Sequence, residues 1–101
     1  MDQRIKLHAM LTEIIGPKKV YFQPPATVSL EYPCLIYKRV RDINRFADNT
    51  KYYGRRQYEI TVIDRNPDSE IPSKINQLPL CSFTSHFVAD NLNHDVFTLY
   101  F

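Results

Sequence analysis

Residues 51–78, KYYGRRQYEITVIDRNPDSEIPSKINQL, constrain the fold more than any other stretch of this chain. Between 57 and 63 the side chains alternate. Gln57, Glu59, Thr61 and Ile63 share one face, and Tyr58, Ile60 and Val62 share the other. A period of two in β-branched and aromatic residues predicts a half-buried strand. Asn66-Pro67-Asp68 must end it, because Pro67 has no N–H to give a ladder and disfavours helical geometry at Asn66. Ser69 is then the expected N-cap of a helix, with Glu70 in the first turn and Pro72 at the third position, where no intrahelical donor is needed. Ile71, Ile75 and Leu78 fall on one face of that helix and can pack on the preceding strand.

Elements on either side must cover this layer. Asp2 can start a first helix that runs to about Ile15, with Leu7, Met10, Leu11 and Ile14 as its apolar stripe. The stripe reads as core rather than as a membrane-binding face, being short with neutral flanks. Gly16-Pro17 stops it. A short strand is expected at 19–23, then an extended connection from Pro24 to Pro33 that can pair briefly at 28–30. A second substantial strand, 34–41, begins apolar and becomes basic. With the turn signal Ala47-Asp48-Asn49-Thr50, residues 36–46 and 51–64 read as one long hairpin whose distal half is basic and aromatic. Gly54 in its second arm suggests a bulge or a close backbone contact. A last hairpin joins 82–89 to 94–101 through Asp90-Asn91-Leu92-Asn93. The chain of 101 residues is thus one domain, 1–101, with the order α-β-β-β-α-β-β. The class is α+β, a mainly antiparallel sheet with both helices on one face and a long projecting β-hairpin.

Charge is uneven along the chain. The net charge is only +2, yet 38–56 holds seven bases (Lys38, Arg39, Arg41, Arg45, Lys51, Arg55, Arg56) against Asp42 and Asp48. Arginines interleaved with Phe46, Tyr52 and Tyr53 can grip phosphates and stack on bases, and the same residue types dominate protein–protein hot spots. A solvated hairpin without a partner is the plain alternative, although so long a hairpin is only marginally stable unsupported. In the last strand Val96, Thr98 and Tyr100 face one way and Phe97, Leu99 and Phe101 the other, so both faces are largely apolar and need cover. Arg39, Arg41, Arg45, Phe46, Tyr52, Tyr53, Arg55, Arg56, Phe97, Leu99, Tyr100 and Phe101 are accordingly the candidate interface residues.

No enzymatic signature stands out. There is no Gly-rich phosphate loop, GxSxG or HExxH. Asp64, Asp68 and Glu70 could hold Mg²⁺ in a nuclease-like site, but strand end, turn and helix-dipole roles explain all three more simply. Neither a cofactor nor a metal is expected, and the chain is not read as an enzyme. Cys34 and Cys81 read as free thiols in a reducing compartment. No apolar run is long enough to span a bilayer, and the N-terminus has no signal-like apolar region.

The wording of five segments adds a resemblance. VYFQPP at 20–25, YPCLIYKR at 32–39, FADNTKYY at 46–53, YEITVIDRNPDSEIP at 58–72 and LCSFTSHFVADNLNHDVFTLYF at 80–101 resemble tail completion or tail terminator proteins of long-tailed bacteriophages. That resemblance covers nearly the whole chain, 1–15 least. It implies an α+β structural protein of the virion, assembled in the host cytoplasm as a ring, usually a hexamer. Such a ring caps the tail tube at the neck and joins tail to head. The implied partners are further copies of the chain, the major tail tube protein and head–tail connector proteins, with DNA in the ring lumen as a further candidate. No membrane is implied. Two alternatives stay open: a neighbouring connector or stopper protein, and a small nucleic-acid-binding module using the basic hairpin.

Overall fold

The computed structural model describes residues 2–27, 29–42, 46–47, 50–51 and 56–101, with 2–3, 41–42, 46–47 and 50–51 described as backbone. The order is α1 (Asp2–Ile15), β1 (Val20–Phe22), β2 (Cys34–Asp42), β3 (Phe46–Ala47), β4 (Thr50–Lys51), β5 (Arg56–Asp64), α2 (Ile71–Asn76), β6 (Cys81–Ala89) and β7 (Leu92–Tyr100). Five strands form one sheet in the order β1-β2-β5-β7-β6, and β3 pairs with β4 as a separate ladder. The fold is α+β with the expected element order.

Register sets the core. Tyr37 lies opposite Ile60 and Leu35 opposite Val62, while Ile60 faces Phe97 and Tyr58 faces Leu99. All seven are at most 1% exposed, and Leu7 and Leu11 of α1 and Ile75 of α2 complete the same cluster. The alternation read at 57–63 therefore marks the helix-covered face. On the other face Cys34, Ile63 and His94 form one row and Ile36, Thr61 and Val96 the next.

The sheet is mainly antiparallel as expected, with β1 running parallel to β2. Several local expectations change. The first strand is only Val20–Phe22. Leu30 joins no strand, and Val28 lies outside the described residues. The second helix starts at Ile71, so Glu70 holds the N-cap position, without a side-chain cap bond, and Pro72 sits one place earlier than expected. Ser69 still acts there, since its Oγ accepts the Ile71 N–H at 3.3 Å. The turn before it is closed by side chains: Asp64 Oδ1 accepts the Asn66 N–H and Asn66 Oδ1 accepts the Asp68 N–H, each at 3.0 Å.

Both hairpins end in the same way. Ala47 pairs with Thr50 and Ala89 pairs with Leu92, so each Ala-Asp-Asn word puts its Ala at the last paired position. Asp90 and Asn91 have φ of 53° and 63°, the left-handed pair that a two-residue hairpin turn requires and that Asp and Asn tolerate best after glycine. Leu92 and Asn93 are strand residues, and the turn is two residues shorter than read from the sequence. Gly54 lies outside the described residues; the register shift of the long hairpin falls in the opposite arm, between Arg39 and Arg41.

One core group lacks a partner. Tyr58 is buried, and its hydroxyl makes no hydrogen bond among the described residues. Its neighbour Tyr37 is bonded twice, accepting from Arg4 Nη1 at 3.3 Å and meeting His8 Nδ1 at 2.8 Å. A buried polar group without a partner costs about 1–3 kcal/mol. Tyr58→Phe should therefore leave stability unchanged or raise it by about 1 kcal/mol, whereas Tyr37→Phe should lower it by a similar amount. Urea midpoints of the two variants check the sign; a clear loss in Tyr58→Phe would reveal a partner for that hydroxyl.

Candidate interaction surface

The candidate interface residues separate into three groups. Arg39 is exposed on β2, and its backbone N–H donates to Gln23 Oε1 at 3.2 Å. Arg56 opens β5, half-buried, and exchanges backbone bonds with Phe101 at 3.1 and 3.0 Å. Both stand where the long hairpin leaves the core. Arg41 and Phe46 lie on β2 and β3 by backbone, and Arg45, Tyr52, Tyr53 and Arg55 lie outside the described residues. The radius of gyration is 14.5 Å, against about 13 Å for a compact domain of this length. The principal-axis extents are 49, 24 and 23 Å.

The last group is a correction. Phe97 and Leu99 are 1% exposed and belong to the chain's own core, while Tyr100 and Phe101 are half-buried. Strand β7 is no edge: it runs between β5 and β6, which cover both of its sides. Its helix-covered face is satisfied within the monomer, so Phe97 and Leu99 present nothing to a partner.

The exposed surface moves one strand outward, to β6. Cys81 is half-buried and every following residue to Ala89 is exposed, including Phe83 at 53%, Phe87 at 47% and Val88 at 61%. Phe83 packs edge-on against Phe97 with centroids 5.6 Å apart, and Phe87 stacks on His94 at 4.5 Å. The ring faces turned away from these partners meet solvent. The same strand carries no Lys, Arg, Asp or Glu from 81 to 89. Sequence reasoning missed it because it weighed the apolar C-terminal strand instead; the missing charges were the available signal. A register shift between Phe83 and Ser85 puts one bulge in the strand, and the Thr84 and Thr98 hydroxyls bond across it at 3.0 Å. His86 Nδ1 meets Asp95 Oδ1 at 2.8 Å and fixes the far half.

Beside this edge, Ile36, Lys38, Glu59, Thr61, Ile63, Phe87 and His94 line a shallow depression of about 290 Å³ on the helix-free face. Lys38 and Glu59 cross it at 3.5 Å, both well exposed, so that pair adds little stability.

Reactive and metal-binding chemistry is sparse. Both cysteines are free, and burial pushes the Cys34 thiol up to about 11 and the Cys81 thiol upward as well. Neither is a ready nucleophile at neutral pH. Among the described residues, no three His, Cys, Asp or Glu side chains come together as a metal site. No described helix is long and apolar enough to cross a membrane. Compared with known proteins, the chain matches no family model, no curated protein and no solved structure.

Proposed function

We propose that this chain is a ring-forming structural subunit of a tailed-phage virion, seated at the neck end of the tail tube, where it stops tube growth and joins tail to head. The phrase-level resemblance over 20–101 supplies the context. The observation that carries the reading is the bare edge of β6, nine residues without a formal charge and with three large apolar side chains about half exposed. Such an edge offers free N–H and C=O groups to any other strand. Proteins that stay monomeric blunt their edges with Lys, Pro or short strands. β6 has one bulge as its sole device of this kind. In a closed ring every subunit covers a neighbour's edge and none is left over, which removes the hazard and uses it for assembly.

The hairpin rooted at Arg39 and Arg56 suits the second contact of such a subunit, reaching past its own core to tube or connector. Light scattering on the purified chain tests the reading. The expected particle is a multiple of the 11.9 kDa chain mass, six copies being the number the resemblance implies, with an annular outline under the electron microscope. A monomer at every concentration sinks it.

A further inference from the structure

The fold gathers three arginines that lie far apart in sequence. Arg4 comes from α1, Arg39 from β2 and Arg56 from the start of β5, and with Ile5, Phe22 and Gln23 they line one cleft of about 390 Å³. Among the described residues no acidic side chain lines it. We propose that this cleft binds phosphate groups, and that the backbone of a nucleic acid delivers them.

Two of its side chains are held in place before any ligand arrives. The Arg4 guanidinium lies 4.6 Å over the Phe22 ring, and its Nη1 donates to the Tyr37 hydroxyl. The Tyr37 hydroxyl also meets His8 Nδ1 at 2.8 Å, and burial first, with the Arg4 charge second, holds the His8 pKa below its usual value. One of the five guanidinium N–H groups is used in this way, and the others remain for a ligand. Gln23 has a left-handed φ of 44° and is bound twice to β2: its N–H donates to the Tyr37 carbonyl and its Oε1 accepts from the Arg39 N–H. That bond takes one lone pair of the Gln23 oxygen, and the side-chain amide keeps N–H donors for a ligand. The Arg39 guanidinium makes no hydrogen bond or ion pair among the described residues, whereas Arg56 has a further interaction within the chain.

The wall is therefore made of donors from four separate elements. A planar carboxylate is satisfied by one forked guanidinium, while a tetrahedral phosphate has oxygens aimed in several directions and matches convergent donors better. A second depression adjoins the first, lined by Gln23, Pro24, Ile36, Lys38 and Arg39, so Gln23 and Arg39 stand between two neighbouring basic hollows. A repeating anion fills adjoining hollows, which a single small phosphate cannot do. Arg4 and Phe22 are absent from the basic middle segment, so this site is a product of the fold.

The test is anisotropy of a labelled DNA duplex of about 20 base pairs, titrated with the full chain between about 50 and 200 mM salt. Binding should be independent of sequence, with log K falling linearly in log salt. Replacing Arg4 and Arg39 together by Gln should reduce that slope by about 2, near 0.9 for each phosphate that is no longer neutralised. Because Arg4 also packs on Phe22, Arg39→Gln alone is the second variant, with an expected slope change of about 1 and an unchanged melting temperature. Light scattering in parallel reads assembly separately from DNA binding. No binding at the lowest salt, or an unchanged slope in both variants, overturns the site. Displacement of DNA by polyglutamate at equal charge would assign it to an acidic protein segment instead. Displacement by millimolar inorganic phosphate would assign it to a small phosphate ligand. Either result overturns the nucleic-acid reading.

Discussion

Deleting residues 99–101 should abolish the fold. Leu99 is 1% exposed, lies opposite Tyr58 on one side and Cys81 on the other, and closes the end of the core cluster. Phe101 packs on the same cluster. Burial of one such side chain contributes about 1.5–3 kcal/mol, and the cavity left by its removal adds to the penalty. The backbone loses bonds as well. Tyr100 N–H donates to the Leu80 carbonyl at 3.1 Å, and Phe101 exchanges bonds with Arg56 at 3.0 and 3.1 Å. At about 1 kcal/mol for each bond, the sum exceeds about 5 kcal/mol. A domain of this size has about 5–15 kcal/mol in total. The truncated chain should be insoluble or lack a cooperative thermal transition. A cooperative melt within about 5 °C of the intact chain would mean a destabilisation near 1 kcal/mol and a core that does not depend on this strand end.

Charging the β6 edge should break assembly and spare the fold. Phe87→Lys with Val88→Lys places two cations on a strand that has none, at side chains 47% and 61% exposed. Edge lysines are the device by which monomeric sheets refuse a second strand, since pairing would desolvate their charge. The monomer gives up only the Phe87–His94 stack, about 0.5–1.5 kcal/mol. Light scattering should fall from the ring to the 11.9 kDa single chain, with circular dichroism unchanged. Under the proposed function, the same pair carried in a phage should give tailless heads beside over-long or unjoined tails. Rings of normal mass from the double variant would place the subunit interface elsewhere and take β6 out of the proposed function.

Local signals in this chain were legible where one residue type has one physical use. Pro67 and the Asx-type bonds of Asp64 and Asn66 mark the corner after β5, and Gly16, at a φ of 114°, ends α1 with its N–H on the Thr12 carbonyl. The alternation of Tyr58, Ile60 and Val62 identified the covered face directly, because only one face of that strand could be buried. The start of α2 was displaced by one residue, as both Ser69 and Glu70 can stand at a helix entrance. Parallel pairing of β1 with β2 was hidden, since three residues of strand carry no directional preference of their own.

Element order, class and the residues that had to be buried followed from the chain alone. They depend on interactions within a few positions of the chain, or on the demand that apolar side chains leave water. Strand order came only with tertiary packing. It put the apolar β7 inside the sheet and the uncharged β6 at its rim, turning Phe97 and Leu99 from expected interface into core and leaving Phe83, Phe87 and Val88 outside. It also brought Arg4 to Arg39 and Arg56, across 35 and 52 positions. Periodicity records which face of an element is apolar but not which neighbour will cover it. That choice belongs to the packing of all seven strands and both helices at once.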